Sequence, residues 1–336
     1  MKISPHVRLY NEDDLKKQFL EQYPESTQYS YAFVFDKSFP MEERLEKDLY
    51  NFTTQEVIQV LKGAAYSTKN SVELAYRVID YYLDFATGKG KVNSQLKVTN
   101  NITNDMLDEF INTSTKTLWS HKEVEEIVHD LVNAQDAAMV LGFYEGISGT
   151  DLGYSELLNL RKQDIDYDNN ELTLHNDKTE EIRTLKVSDE LIRLLRSASI
   201  ETEYRGKNGT GKGVRAESEL IESDYVFRNV FAGSIGSKHS SEPSKQALVT
   251  RRFASIMSVF NLDNFNAKNV RNSGMLKMAK DLYKRDGELT TAQFEEIAQR
   301  YGIQKVKMGN SMVYAFTLLK KFITVDNIMK YYPEEF

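Results

Sequence analysis

The pattern of apolar and polar positions in the middle of the chain predicts two helices followed by a β-hairpin. Apolar residues at three- and four-residue spacing predict helices over 137–144 and 157–160. Two runs in which apolar residues alternate with polar ones, 171–175 and 182–187, predict a pair of antiparallel strands. The polar residues between these runs predict a tight turn with Lys178 at its tip.

The first third of the chain has the pattern of a separate helical domain. Helices are predicted over 41–49, 54–64, 71–85 and 106–111. The aromatic-rich segment 23–39 alternates at its centre, which indicates a strand or an irregular packing arm. The polar run 112–116 breaks the apolar pattern and is the predicted linker, so the predicted domains are residues 1–114 and 115–336.

The second domain is predicted to be mainly helical around the hairpin, so that the fold class is mainly α with a small β-hairpin or sheet. Ser120 and Glu123 have the spacing of a capping box that opens a helix over 122–132. Further helices are predicted over 188–199, 244–260, 294–300 and 320–332, and a short strand over 224–227. Two polar loops, 204–215 and 232–244, are expected to be exposed and flexible, and the first is a candidate for contact with DNA.

Composition narrows the classes of protein that this chain can be. Its 336 residues are 40% apolar and 11% aromatic, which suffices for two packed cores. The absence of cysteine excludes disulfides and cysteine-ligated zinc, and fits a reducing cytoplasm. No secretory apolar segment and no run of about 18 apolar residues is present, so we expect a cytoplasmic protein that does not enter a membrane.

Charge is unevenly distributed along the chain. The formal net charge of −7 disfavours nucleic-acid binding, because lysine and arginine must neutralise phosphates. The window 228–285, however, contains eleven Lys and Arg against three acidic residues, a local charge of about +8. Such a window is either a solvated surface or a basic patch for DNA.

A resemblance to a known family arises from the central stretch. Residues 155–166 read SELLNLRKQDID, and the hairpin that follows carries Lys178-Thr179 and Arg183. This order resembles the catalytic domain of the tyrosine recombinases, the phage-integrase family. The resemblance implies a helical core-binding domain that clasps DNA opposite a catalytic-like domain. It also implies a C-terminal tail, 320–332, that packs on a neighbouring copy.

The chain departs from the family at several catalytic positions. Gly153 stands where the family has its first catalytic arginine. Lys268 and Arg271 match the histidine and second arginine, and lysine is accepted by some members at the first of these. Ile303 replaces the histidine or tryptophan after Gly302, and Tyr314 is nearest to the nucleophile position, with Tyr301 a weaker candidate.

These departures matter because of the chemistry that the resemblance implies. Recombinases cleave DNA through a phosphotyrosine without a metal, so arginines and a His or Lys must stabilise the charge on the phosphate. Loss of one arginine at such a site costs about 10³- to 10⁵-fold in comparable systems. We therefore expect a protein that binds double-stranded DNA without recombining it. No cofactor is expected. The spacing from Gly206 to Lys212 fits most of a phosphate-binding loop, but Gly213 stands where that pattern requires Ser or Thr.

Among degenerate members of this family, the whole chain most resembles the lysogeny repressors of SPβ-type Bacillus phages. The resemblance implies a transcriptional repressor in the bacterial cytoplasm that occupies phage operator elements and keeps a prophage silent. The cations expected to contact DNA are Lys62, Lys69, Arg77, Lys178, Arg183, Lys245, Arg251, Arg252, Lys268, Arg271 and Lys277.

Two alternatives stay open from the sequence. The first is an active recombinase in which a displaced arginine, such as Arg161, supports Tyr314 as the nucleophile. The second is a protein-interaction factor that has kept the fold and lost DNA binding, which the overall acidity favours.

Overall fold

The computed structural model describes residues 7–10, 14–66, 69–92, 97–112, 116–148, 153–213, 216–231, 233, 237–309 and 311–336. The chain divides into two units, residues 1–115 and 116–336. Apolar residues within each unit pack into cores of their own. Residues 113–115 of the predicted linker, Gly149 and part of both predicted loops lie outside the described residues.

Unit 1 is helical. Its helices are α1 (Leu15–Leu20), α2 (Glu25–Leu45), α3 (Thr54–Gly63), α4 (Lys69–Gly88) and α5 (Asn104–Glu109). The last three confirm predicted helices, and α3 begins with a capping box in which Thr53 and Glu56 satisfy each other's backbone N–H groups. The predicted helix over 41–49 is wrong as a separate element, because its first half is the end of α2.

The segment predicted as a strand or packing arm is helical and forms most of α2. Its buried residues Ala32, Phe35 and Ser38 recur at three-residue spacing, which is the periodicity of a helix. Tyr29 and Phe33, four residues apart, are 57% and 44% exposed on another side of the helix. Aromatic residues on both sides produced the apparent alternation, so the strand interpretation is wrong.

Buried charges lie inside the core of unit 1. Lys16 is fully buried, and its Nζ donates to Glu42 Oε1 at 2.5 Å and to Asp48 Oδ2 at 2.9 Å. The Tyr82 hydroxyl donates to the other oxygen of Asp48 at 2.8 Å. A buried charge is tolerated when it is paired and hydrogen-bonded, so these residues fix the mutual positions of α1, α2 and α4.

Unit 2 is mainly helical with small antiparallel sheets. Its helices are α6 (His121–Asp130), α7 (Ala134–Glu145), α8 (Ser155–Leu158), α9 (Asp189–Ile200), α10 (Ala247–Phe260), α11 (Ala267–Asp286), α12 (Thr291–Arg300) and α13 (Val325–Tyr331). Its strands are β1 (Ile165–Asp166), β2 (Glu171–Asn176), β3 (Glu181–Lys186), β4 (Glu203–Arg205), β5 (Glu217–Glu219), β6 (Lys305–Met308) and β7 (Ser311–Tyr314). The predicted fold class is confirmed.

The central helix, helix, hairpin prediction is also confirmed. Strands β1, β2 and β3 form one antiparallel sheet in that order. Leu172 faces Leu185 across the hairpin, and both side chains are buried. The capping box of Ser120 and Glu123 opens α6 as predicted.

Two parts of unit 2 differ from the predictions. The run 224–227 is not a sheet strand, since it makes a single bridge in which Tyr225 pairs with Arg161. The run still leaves Val226 and Phe227 buried in the core, which explains its apolar pattern. Strands β6 and β7 were not predicted, and they form a hairpin on which Met308 and Met312 are 72% and 58% exposed.

The C-terminal tail packs on α11 of the same chain. Tyr332 is buried, and the Glu335 carboxylate accepts hydrogen bonds from Lys280 at 2.8 Å and from Lys284 at 3.2 Å. These two lysines provide a local partner for the tail within its own unit. Association with a second copy through the tail stays a prediction. Within the described part of the chain, no helix has both the length and the apolar character needed to cross a membrane.

Helix α7 runs through the core of unit 2, and its backbone lies close to the backbone of α11. Residues 137–144 of α7 are all buried. At Gly274 of α11, an added Cβ would lie 1.8 Å from the Tyr144 carbonyl oxygen and 2.5 Å from the Tyr301 hydroxyl oxygen. The absence of a side chain at Gly274 therefore lets the two helices approach each other.

Replacement of Gly274 by alanine should destabilise unit 2 by about 3 kcal/mol or more, because the new methyl group overlaps a backbone carbonyl that cannot move aside. Chemical denaturation monitored by circular dichroism measures the change. Gly63→Ala is the matched control, since Gly63 is helical and no atom lies within 4 Å of its added Cβ. Equal stability of the two variants would contradict the close contact.

Candidate functional site

An ion pair between Glu156 and Arg183 lies at the centre of the site region. Arg183 Nε donates to Glu156 Oε1, and Arg183 Nη2 donates to Glu156 Oε2, both at 2.7 Å. The same guanidinium donates to the carbonyl oxygens of Arg300 at 2.8 Å and Gly146 at 2.7 Å. One side chain thereby joins the hairpin, α8 and the C-terminal ends of α7 and α12.

This ion pair follows from the local sequence. Glu156 is the acidic residue within the apolar run of α8, and its side chain is 5% exposed. Its Oε2 also accepts the backbone N–H of Ser148 at 2.7 Å. Nε, Nη1 and Nη2 of Arg183 are all engaged inside unit 2, which disfavours the predicted contact of Arg183 with DNA; that contact stays a prediction.

The tip of the hairpin is attached to the start of α8. The Ser155 hydroxyl hydrogen-bonds Asp177 Oδ1, and the Asp177 backbone N–H donates to Ser155 Oγ at 3.0 Å. Lys178 follows with a 60% exposed side chain, and its ion-pair contact with Asp177 is long, at 3.9 Å. A fixed turn therefore presents Lys178 to solvent.

Gly153 has a backbone conformation that suits glycine. Its φ is +75°, in the left-handed region, where an L side chain costs about 1–2 kcal/mol. The nearest atom to an added Cβ is Gln246 Oε1 at 3.6 Å, at the start of α10. No charge is supplied at this position. The displaced candidate Arg161 instead donates from Nη2 to the Tyr225 hydroxyl at 3.1 Å and lies over that ring.

The start of α11 carries Lys268 and Arg271 in different environments. Asn266 caps the helix by accepting the Asn269 N–H at 3.0 Å. Lys268 is exposed, whereas Arg271 is only 9% exposed. Burial dominates at Tyr301 and raises the pKa of its hydroxyl well above the ordinary value.

The two tyrosines considered as nucleophiles lie in unlike surroundings. Tyr301 is buried, and its hydroxyl donates to the Tyr144 carbonyl at 2.7 Å, so it is a core residue. Tyr314 is half-buried on β7, where Lys305 Nζ lies 5.0 Å from its ring centroid and the Phe316 ring lies 6.0 Å away. Ile303 packs against the apolar cluster that contains Tyr301.

A second buried ion pair removes Arg252 from the surface. Arg252 Nη1 contacts Asp136 Oδ1 at 3.2 Å, and its guanidinium carbon lies 3.3 Å from the Tyr204 ring centroid. Burial raises the pKa of the Asp136 carboxyl, against the opposing effect of Arg252. Arg252 is 6% exposed, which disfavours its predicted contact with DNA; that contact stays a prediction.

Most of the cations in the basic window, residues 228–285, pair with carboxylates or carbonyl oxygens inside unit 2. Arg228 is buried and donates to the carbonyls of Ala198 and Glu201. The ion-paired cations are Lys238 with Glu219, Lys277 with Asp281, Lys280 and Lys284 with Glu335, and Arg285 with Asp286 and Glu296. The local charge of the sequence window therefore overstates the basic surface.

Exposed cations remain around α10 and α11. Lys245 and Arg251 lie before and within α10, and Lys268 lies at the start of α11. Arg251 hydrogen-bonds Asn229 Oδ1 at 3.2 Å. In the part of the chain that the structure covers, no carboxylate forms an ion pair with any of these three. With Lys178, these are exposed members of the predicted set in unit 2, and their contact with DNA stays a prediction.

The predicted cations of unit 1 are exposed but mostly engaged. Lys69 pairs with Asp108 at 2.6 Å, and Arg77 lies 4.0 Å from Glu73. Lys62 Nζ lies 5.2 Å from the Phe110 ring centroid. Exposed pairs of this kind are weak, so their contact with DNA stays a prediction.

The described part of unit 2 contains several cavities, and two of them lie near predicted site residues without bringing the predicted site together. One of about 720 Å³ is lined by residues that include Lys277 and Tyr301. The other, of about 470 Å³, lies beside the hairpin and includes Arg161 and Tyr225. Neither is lined by the catalytic-like positions Gly153, Lys178, Lys268, Arg271, Ile303 and Tyr314.

Two acidic residues that organise the region were missed from the sequence. Glu156 and Asp136 each interrupt an apolar helical run, at 155–158 and 134–144. An acidic residue on the buried side of a helix needs a cationic partner, which is the signal that could have identified them. Their partners, Arg183 and Arg252, are among the cations that the sequence predicts to contact DNA.

Comparisons with known proteins agree with the two-unit organisation. A family model described as the MrpR N-terminal core-binding domain matches residues 9–88, and one described as the MrpR C-terminal catalytic domain matches residues 118–333. The SPbeta prophage-derived protein YopR of Bacillus subtilis (strain 168) is 28% identical over 96% of both chains.

Solved structures with lower similarity include two recombinases. The XerA recombinase is 14% identical, with a TM-score of 0.41 over 96% of this chain and 98% of that one. The Tn1549 transposon integrase in complex with transposon right end DNA is 11% identical, with a TM-score of 0.45 over 95% of this chain and 98% of that one.

A core-binding unit followed by a catalytic-type unit with a SELL helix and a lysine-tipped hairpin is the two-domain class of protein that the family models describe. The resemblance inferred from the sequence is confirmed. The chain belongs to the MrpR family.

Removal of the Arg183 guanidinium in Arg183→Met should destabilise unit 2 by about 3–5 kcal/mol, because it leaves the Glu156 carboxylate buried without its cation. Urea unfolding measures the change. The double variant Glu156→Gln/Arg183→Met should recover a large part of the loss.

The control is Arg193→Met, which breaks an ion pair with Glu190 in which both side chains are at least half exposed. It should change stability by less than about 1 kcal/mol. If Arg183→Met were as mild as this control, the ion pair would not organise the site.

Proposed function

We propose that this protein is a sequence-specific DNA-binding transcriptional repressor that maintains prophage lysogeny and does not exchange DNA strands. The observation that carries the proposal is the separation of exposed and buried cations at the recombinase-like positions. Lys178 and Lys268 are exposed. Arg183 is held in an ion pair with Glu156, and Gly153 provides no charge. Such an arrangement favours binding of a DNA backbone over cleavage of that backbone.

The surroundings of Tyr314 support the absence of cleavage. A tyrosine that attacks a phosphodiester requires cations at the phosphate and a group that accepts its proton. The Tyr314 ring lies near Lys305 and Phe316, which are both on or beside its own hairpin. Arg161 is held against Tyr225, which disfavours the alternative of an active enzyme with a displaced arginine.

The prophage role rests on the family and its relative. YopR is described as prophage-derived, and it aligns with this chain over nearly its whole length. The structures that resemble this chain include an integrase bound to DNA. We extend DNA binding to this chain because exposed Lys178, Lys245, Arg251 and Lys268 are available for phosphates. Unit 1 is then the proposed DNA-clasping domain, and operator elements of the phage are the proposed sites.

Purified protein should shift fragments of the phage genome in a gel, and SDS should abolish every shifted band. The expected result follows because binding is non-covalent when no tyrosine attacks the phosphate. Nicked duplexes are included, because they trap the covalent intermediate of an active recombinase.

Tyr314→Phe is the matched control in the same gel and should shift DNA as the wild type does. An SDS-resistant band that disappears in Tyr314→Phe would establish an active recombinase. Complete absence of a shift at low salt would instead favour a protein-interaction factor.

The double variant Lys178→Ala/Lys268→Ala should weaken binding to all duplexes, since these lysines neutralise phosphates and read no bases. The slope of log Kd against log salt should fall by about one per lysine lost. Fluorescence anisotropy over a salt series measures it. Lys122→Ala, at another exposed lysine of unit 2, is the control and should leave the slope unchanged.

A further inference from the structure

The loop between β4 and β5 differs from the flexible loop that its sequence indicates. Strands β4 and β5 pair in register, with Tyr204 opposite Ser218. The Gly206 backbone N–H donates to the Ala216 carbonyl at 2.7 Å, and Thr210 Oγ1 donates to the Lys207 carbonyl at 2.7 Å. The described part of the loop, residues 206–213, is a structured turn and leads to a strand, which excludes the phosphate-loop interpretation.

Side chains from outside the hairpin hold this turn in place. At its base, Asn133 accepts the Arg205 N–H at 2.7 Å and donates to the Arg205 carbonyl at 2.9 Å. The Tyr204 hydroxyl donates to the buried carboxylate of Asp136 at 3.0 Å. The hairpin is therefore attached to the N-terminal end of α7.

The turn is also attached near its tip. Asn208 Oδ1 accepts the Val132 backbone N–H, and Asn208 Nδ2 donates to the Asp130 carbonyl, both at 2.8 Å. Asn208 has a φ of +51°, a conformation that asparagine tolerates better than most residues. Both ends of the turn are thus fixed to the connection between α6 and α7.

The solvent-facing side chains of this fixed turn carry positive charge and include no large apolar group. Lys207 and Lys212 are exposed, and within the described ranges neither has a carboxylate at ion-pair distance. From Arg205 to Gly213 the sequence contains no acidic and no large apolar residue, and four glycines lack side chains altogether. Protein interfaces depend on buried aromatic and aliphatic residues at their centre, which this turn lacks.

We propose that the β4–β5 turn is a preorganised contact for the phosphate backbone of duplex DNA, with Lys207 and Lys212 as the contacting residues and Asn208 as the positioning residue. Lysines on a fixed turn lose less conformational freedom on binding than lysines on a mobile loop. Glycines beside them allow the backbone to approach the phosphates closely. This inference rests on the proposed DNA binding and assigns part of it to a surface that does not include the recombinase-like positions.

The test compares the full-length protein with Lys207→Ala/Lys212→Ala on a fluorescein-labelled, mixed-sequence DNA duplex across a salt series. The variant should lower the slope of log Kd against log salt by about two, at about 0.9 per phosphate contact, and raise Kd by on the order of tenfold or more. The control Lys122→Ala/Lys321→Ala removes the same charge from exposed positions elsewhere in unit 2 and should leave the slope unchanged.

Asn208→Gly tests the positioning role, because glycine keeps the backbone conformation and deletes both hydrogen bonds to the α6–α7 connection. It should raise Kd in the wild-type background and have no effect when Lys207 and Lys212 are already alanine. A general loss of stability would act equally in both backgrounds.

The outcomes separate this inference from the proposed function. If the wild type binds the duplex and Lys207→Ala/Lys212→Ala binds with the same slope and Kd, the turn is not a contact and the proposed function is untouched. An equal effect of the control pair also overturns the inference, because general charge would then explain the loss. If the wild type does not bind duplex DNA at any salt concentration, both proposals are overturned.

Discussion

The interaction between Glu156 and Arg183 constrains the whole arrangement of unit 2. A carboxylate on the buried side of α8 must meet a cation, and Arg183 is the residue that the hairpin supplies. The same guanidinium satisfies the carbonyls of Gly146 and Arg300, where α7 and α12 end. The hairpin therefore cannot shift without breaking contacts at three other elements, and the position of Lys178 at its tip is determined by this ion pair.

Buried and exposed cations have different roles in this protein, although they look alike in the sequence. Arg183, Arg228 and Arg252 stabilise the core by pairing with acids or carbonyls. Lysines supply most of the surface that remains for a polyanion. Arginine suits the core because its planar group satisfies several acceptors at once, whereas lysine exposes a compact charge. An arginine within a recombinase-like motif is therefore not by itself evidence of a phosphate site.

Local pattern sufficed to predict most of the helices and the central hairpin, because these elements bury either one regular face or, as in α7, an unbroken apolar run. It failed at α2, where Tyr29 and Phe33 add exposed aromatics to a helix whose buried face is elsewhere. The count of charges over residues 228–285 overstates the basic surface for another reason. Pairs such as Lys280 with Glu335 join residues 55 positions apart, and counting charges along the chain cannot detect them. The tertiary structure, and not the sequence, therefore distinguishes candidate DNA contacts from core cations.

The buried carboxylate of Asp136 connects two surfaces that the chain keeps far apart in sequence. Through Arg252 it holds α10, the helix that carries Arg251, and through Tyr204 it holds the β4–β5 hairpin. In genetic terms, Asp136 is a position where a substitution can abolish a phenotype that depends on both surfaces while leaving every exposed residue unchanged. Alleles that lose function only at elevated temperature should accumulate at this carboxylate and its partners, and a screen for such alleles would map the interior of the protein.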